Sequence, residues 1–135
     1  MNLLKRLRRY PPLRKAYFGL FTARYLQARL AARASYSQDG EDTKIREMLH
    51  DVRFFIDIGA YDGITDSNTF LFAVGGAGGI CFEPVPETFI KLSALYRLRP
   101  GITCRCCGIS DATSEATIAP MQGLSFLPGT EDPAH

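Results

Sequence analysis

The sequence predicts an α/β fold: half of a doubly wound parallel sheet, three strands with their helices, preceded by a basic helical arm. Three observations carry this. Apolar runs at 53–58, 80–82 and 102–107 each give way to a turn rich in glycine, proline or acid. The stretches between them repeat apolar residues at helical spacing. Strand and helix therefore alternate as β-α-β-α-β, the order of a parallel sheet with crossover helices.

A chain of 135 residues is long enough for one domain with a real core and short for a complete α/β enzyme. Apolar residues make up 46% and charged residues 22%, the balance of a soluble globular protein. The net charge of +2 hides an asymmetry. Residues 1–38 carry nine Lys/Arg and no acid, whereas residues 39–135 carry seven Lys/Arg against fourteen Asp/Glu. A basic arm, residues 1–34, is thus joined to an acidic body, residues 35–135.

Within the arm, Lys5, Arg6, Arg8 and Arg9 stand among leucines before the break at Pro11-Pro12. From Leu13 to Ala34 the spacing is helical, with Tyr17, Leu20, Phe21 and Tyr25 on one stripe and Arg29 and Arg33 on another. No apolar run approaches the ~20 residues of a membrane span, and no cleavable signal is evident. Three readings remain: a basic amphipathic helix on an anionic membrane surface, an organelle presequence, and a solvated helix packed over the domain. Nucleic acid is not an expected partner, because no binding module accompanies the charge. The expected location is cytoplasmic, with peripheral membrane contact through the arm as the added reading.

The polar turn Ser35-Tyr36-Ser37-Gln38-Asp39-Gly40 leads into a helix over about Glu41–His50, with Ile45, Met48 and Leu49 expected on its inner face. Arg53–Ile58 is the first strand, apolar on both faces as a central parallel strand is. A helix over about Thr65–Val74 follows, then a glycine loop, Gly75–Gly79, and the second strand, Ile80–Phe82, ending in Glu83. The next helix, about Glu87–Leu98, places Phe89, Leu92, Leu95 and Tyr96 at core spacing. Arg99-Pro100-Gly101 turns into the third strand, Ile102–Cys107, and Ala116–Ala119 reads as a short hairpin arm. Of the cysteines, Cys104, Cys106 and Cys107 crowd one strand, where neighbours point to opposite faces. That suits neither a disulfide framework nor a metal site, and reduced core cysteines are expected.

The chemistry-bearing stretch is Asp57-Ile58-Gly59-Ala60-Tyr61-Asp62-Gly63. Gly59 and Gly63 sit where the chain turns at a strand end and a ligand would press on the backbone. Glu83, at the end of the adjacent strand, can accept hydrogen bonds from both hydroxyls of a ribose. A dinucleotide loop needs a glycine where Tyr61 stands, so NAD is disfavoured. An acid two residues before the first glycine suits a cationic, amino-acid-bearing ligand, and S-adenosylmethionine has both that character and a ribose.

These residues, together with Ser35–Asp42, Ser67-Asn68-Thr69, Cys81-Phe82-Glu83-Pro84 and Gly108-Ile109-Ser110-Asp111, strongly resemble FkbM-type methyltransferases over about Ser35 to Leu124. Such enzymes have a class I, Rossmann-like fold and depend on S-adenosylmethionine. They methylate mostly hydroxyl groups, often on sugars, polysaccharides or secondary metabolites. The resemblance implies that Asp57, Gly59, Ala60, Tyr61 and Gly63 surround the methionine part of the cofactor. It implies further that Glu83 holds the ribose, that Pro84 and Val85 lie beside the adenine, and that Ser110 and Asp111 lie near its amino group. Gln38 and Glu41 belong to a family motif ahead of the first strand.

The chain departs from the family in ending at His135, before the fourth strand and its Lys-x-Asp-x-Glu-Gly-like motif. The expectation is an incomplete fold truncated before the acceptor site, without an assignable catalytic base; Asp62 and Asp66 are equally explained as helix caps. A half-sheet would also leave a strand edge unpaired and an apolar face uncovered. The acceptor, a small molecule or glycan, is not legible. The alternatives are a non-catalytic module completed by a partner chain or by self-association, and an NAD-binding fragment.

Overall fold

The computed structural model describes residues 33–115, 117–121 and 124–126, together with scattered helical positions between 12 and 31. In chain order the elements are α1 (Glu41–Met48), β1 (Phe54–Ile58), α2 (Phe70–Gly75), β2 (Gly78–Phe82), α3 (Pro86–Leu95), β3 (Ile102–Arg105), β4 (Ala119–Met121) and β5 (Leu124–Phe126). The three long strands form one sheet in the order β1-β2-β3, all parallel, so the incomplete Rossmann-like α/β fold is present. β4 and β5 pair antiparallel as a separate hairpin, whose first strand begins at Ala119, where the arm expected at Ala116–Ala119 ends. The stripe expected on Tyr17, Phe21 and Tyr25 lies outside the described residues, as does the tail from 127 to 135. Leu20, from the same stripe, is exposed, while the Thr22 hydroxyl donates to the Ala94 carbonyl of α3 at 3.2 Å.

Register decides which side chains share a face. Phe55 lies beside Gly79 and Ile102, and Asp57 beside Cys81 and Cys104. This face carries the core, with Phe70, Leu92 and Leu95 of the helices and Tyr96, which caps α3, packed over it. Gly79 has to be glycine because the Phe55 ring lies across it, 2.6 Å from where a Cβ would stand. At Gly78 a Cβ would come within 2.9 Å of the Gly101 carbonyl oxygen. The two glycines expected in a loop are therefore strand residues, selected by close approach despite their poor strand propensity. The opposite face of β1 shows Phe54, Ile56 and Ile58 to solvent, and β1 is an outer strand of the sheet among the described residues.

α1 turns inward through a charge rather than through methionine and leucine. Met48 is 79% exposed and Leu49 has already left helical geometry, while Ile45 packs against the core and Asp42 is fully buried. Asp42 accepts hydrogen bonds from Ser35 Oγ (2.6 Å), Tyr36 N–H (2.7 Å), Ser37 Oγ (2.9 Å) and Thr43 N–H (2.8 Å). Burial pushes its pKa upward, and these bonds together outweigh it and hold the carboxyl below the ordinary aspartate range. A depressed folded-state pKa gives stability that is present above about pH 4 and lost as pH falls through the folded value. Melting temperature should therefore drop on acidification below about pH 4, and Asp42→Asn should flatten that part of the profile; an unchanged profile would argue against this role.

The cysteines are all free. Cys81 is buried and Cys104 half-buried, but Cys106 and Cys107 are exposed, because β3 ends at Arg105 and the chain leaves the sheet. The Cys81 thiol is held protonated well above its ordinary value by its hydrogen bond with Cys104 and by burial.

Candidate functional site: the turn after β1

At the end of β1 the chain needs a left-handed residue to turn, and Gly59 provides it at φ 77°. The next three amides are then committed. Gly59 N–H and Ala60 N–H both donate to the Phe82 carbonyl at 2.9 Å, and Tyr61 N–H donates to Glu83 Oε2 at 2.9 Å. Tyr61 itself sits at φ 52°, an uncommon conformation for a side-chain-bearing residue, held by that bond to Glu83. Glu83 is 4% exposed, and its second oxygen accepts Val85 N–H at 2.9 Å. One carboxylate thus ties the turn after β1 to the turn after β2. A carboxylate oxygen can accept more than one hydrogen bond, so these two bonds do not by themselves exhaust Glu83.

Beyond Tyr61 the chain does not enter a helix at Thr65. Asp62 Oδ1 accepts the N–H groups of Ile64 and Thr65, and its Oδ2 accepts the Thr65 hydroxyl. Asp66 adopts φ 52°, and Ser67 Oγ accepts the amides of Thr69 and Phe70, so α2 begins only at Phe70. Asp62 is accordingly a turn cap. The Ser35–Asp42 motif supports this segment from below: the Tyr36 carbonyl accepts Ser67 N–H at 3.1 Å, and the Tyr36 ring meets Phe70 edge-on at 4.8 Å.

Between the turn after β1 and the segment that follows it lies a cavity of about 380 Å³ lined by Asp57, Ile58, Gly59, Ala60, Tyr61, Thr65, Asp66, Ser67 and Asn68. Its charged lining groups are both acids. Thr69 Oγ1 donates to Asp57 Oδ2 at 2.5 Å; burial raises the Asp57 pKa and this bond pulls it back in part.

Of the residues expected at a ligand, Asp57, Gly59, Ala60 and Tyr61 meet at the cavity. Glu83 stands directly behind them through the Tyr61 amide. Gly63, at φ 81°, faces the core: a Cβ there would fall 2.7 Å from Leu95 Cδ2 and 2.8 Å from Leu92 Cδ1. Pro84 is half-buried beside Gly108, while Ser110 and Asp111 are exposed and bonded to each other at 3.1 Å. None of these four lines the cavity. The lining residues Thr65, Asp66, Ser67 and Asn68, and Thr69 behind Asp57, fall within the helix expected from about Thr65. The better signal is composition, since Thr-Asp-Ser-Asn-Thr is a run of residues whose side chains compete for the backbone and favour turns.

The arrangement does not suit a phosphate. A phosphate-binding turn presents free amides, whereas here the amides of 59, 60 and 61 point at β2. Among the described residues no group of side chains could hold a metal ion, and no helix is long and apolar enough to cross a membrane. No curated protein and no solved structure matches the chain. Residues 57–134, more than half of the chain and beginning at the cavity aspartate, match the model of the methyltransferase FkbM domain. The sheet, the turn after β1 and that match agree: the chain belongs to the FkbM methyltransferase family.

Proposed function

We propose that the methyl donor of this protein is S-adenosylmethionine, taken at the cavity after β1, and that the acceptor is a hydroxyl of a sugar, polysaccharide or secondary metabolite. The observation that carries the donor is the character of the cavity: both charged groups in its lining are carboxylates, and the turn beside it offers no free amide at 59, 60 or 61. A cationic ligand is matched by that lining and an anionic one is opposed by it. The donor set fits the group. Asp57 would take the ammonium, the Gly59–Tyr61 turn would lie along the methionine portion, and Glu83 has acceptor positions for the ribose hydroxyls. Bound there, S-adenosylmethionine supplies a methyl group on a sulfonium centre, open to in-line displacement by a nucleophile. The choice of a hydroxyl acceptor rests on the family resemblance.

Equilibrium dialysis of the full chain against labelled S-adenosylmethionine tests the donor. Saturable binding, not displaced by NAD, is expected, and Asp57→Asn should weaken it by about 10- to 100-fold, the range for loss of one charge-assisted hydrogen bond. Displacement by NAD, or no saturable binding, would defeat the reading.

A further inference from the structure

We propose that Thr69 is a positioning residue of the donor site: its hydroxyl fixes the Asp57 carboxylate in the cavity wall, where that carboxylate meets the cationic group of the ligand. The inference rests on the reading of the cavity as the donor site. Three observations carry it. The contact is 2.5 Å, at the short end for a hydroxyl donating to a carboxylate. Asp57 lies on β1 and Thr69 at the start of α2, so the bond links strand and helix across the segment that forms the far wall of the cavity. And Thr69 is itself fixed, its amide donating to Ser67 Oγ at 3.3 Å and its carbonyl accepting the amides of Phe72 and Ala73. With the Thr69 proton committed to Asp57, the Ser67 hydroxyl, 3.4 Å away, donates to Thr69.

A carboxylate can rotate about its last bond and can take up a proton. The Thr69 hydroxyl opposes both, because a donor favours the ionised form and defines which oxygen faces inward. Burial alone would raise the Asp57 pKa, and the Thr69 bond is the group that counters it. The other titratable neighbours are the Cys81 thiol, beside Asp57 on β2 with Cys104 beyond it, and Asp66 and Tyr61 in the cavity wall. Among the described residues none of these neighbours is a cation, and the Thr69 hydroxyl is the donor that favours the ionised carboxylate.

The test uses the full chain and reads Asp57 directly. The carboxyl carbon of Asp57 is followed by NMR through a pH titration in the wild type, Thr69→Val and Thr69→Ser, with Thr69→Ala in place of valine should the valine variant not fold. Loss of the hydroxyl should move the Asp57 midpoint upward by about one pH unit, and serine should restore it. An unmoved midpoint overturns the proposal, whatever the ligand turns out to be. In parallel, S-adenosylmethionine binding is measured between pH 5 and pH 8. Its acid limb should shift upward in Thr69→Val, return in Thr69→Ser, and show no Thr69 dependence in an Asp57→Asn background. A Thr69→Val loss that persists equally in that background would show that Thr69 acts elsewhere and defeat the proposal. A shifted midpoint without binding by the wild type would instead defeat the donor reading and leave the Thr69–Asp57 coupling standing.

Discussion

Gly63→Ala should lower the unfolding free energy by roughly 2–5 kcal/mol. Two separate effects contribute. At φ 81° an L-residue pays about 1–2 kcal/mol for the left-handed conformation. The new methyl group would also overlap Leu92 and Leu95, whose side chains are fully buried and cannot swing into solvent, and overpacking of this kind costs about 1–3 kcal/mol. Urea denaturation measures the sum, and a double-mutant cycle separates the parts. In a Leu95→Ala background the steric share should shrink while the conformational share persists, so the double variant should lose less than the sum of the single losses. Full additivity would mean that the two groups do not meet. For a domain with about 5–15 kcal/mol in total, a loss of this size decides whether α3 stays docked beneath the turn.

Glu83→Ala should destabilise the chain by about 2–6 kcal/mol and remove S-adenosylmethionine binding together with it. The carboxylate is the acceptor for two backbone amides, those of Tyr61 and Val85, and leaving a buried donor without a partner costs about 1–3 kcal/mol each. Without the bond to its amide, Tyr61 loses a restraint on its left-handed conformation, and the cavity loses its wall. Glu83→Gln separates the roles. The amide retains one acceptor oxygen, so most of the fold should survive, while its NH₂ group meets a backbone donor and the ribose loses an acceptor. A glutamine variant that folds and binds as tightly as the wild type would show that Glu83 only shapes the turn.

The sequence disclosed the alternation of elements because the strands are short apolar runs closed by strong turn residues, and α3 because Leu92, Leu95 and Tyr96 fall on one buried face. Glu83 was legible for the same reason: an acid at the end of an apolar run has to find partners or remain outside. Three features were hidden by close contact or by hydrogen bonding, to which periodicity is blind. Gly78 and Gly79 read as loop until the Phe55 ring and the Gly101 carbonyl are seen against them. Met48 and Leu49 are apolar at inward spacing, yet Asp42, with four hydrogen bonds to satisfy, sets the face that α1 turns toward the core. The far wall of the cavity, Thr65 to Asn68, lay within a helix by count, and the side-chain bonds of Asp62 and Ser67 unwind it.

The inward turn of the amides at 59, 60 and 61 has a consequence for competition inside a cell. Adenosine is shared by many abundant compounds, and most of them carry phosphate at the 5′ position. A site that recognised the nucleoside alone would be filled by those. With S-adenosylmethionine as the donor, the same adenosine with a phosphate attached would meet the carboxylates of Asp57 and Asp66 and find no free amide at 59, 60 or 61, whereas one carrying a positive centre would meet its counter-charge. On that reading, discrimination between the cation and its anionic relatives would begin in the backbone of a single turn, before the adenine ring makes any contact.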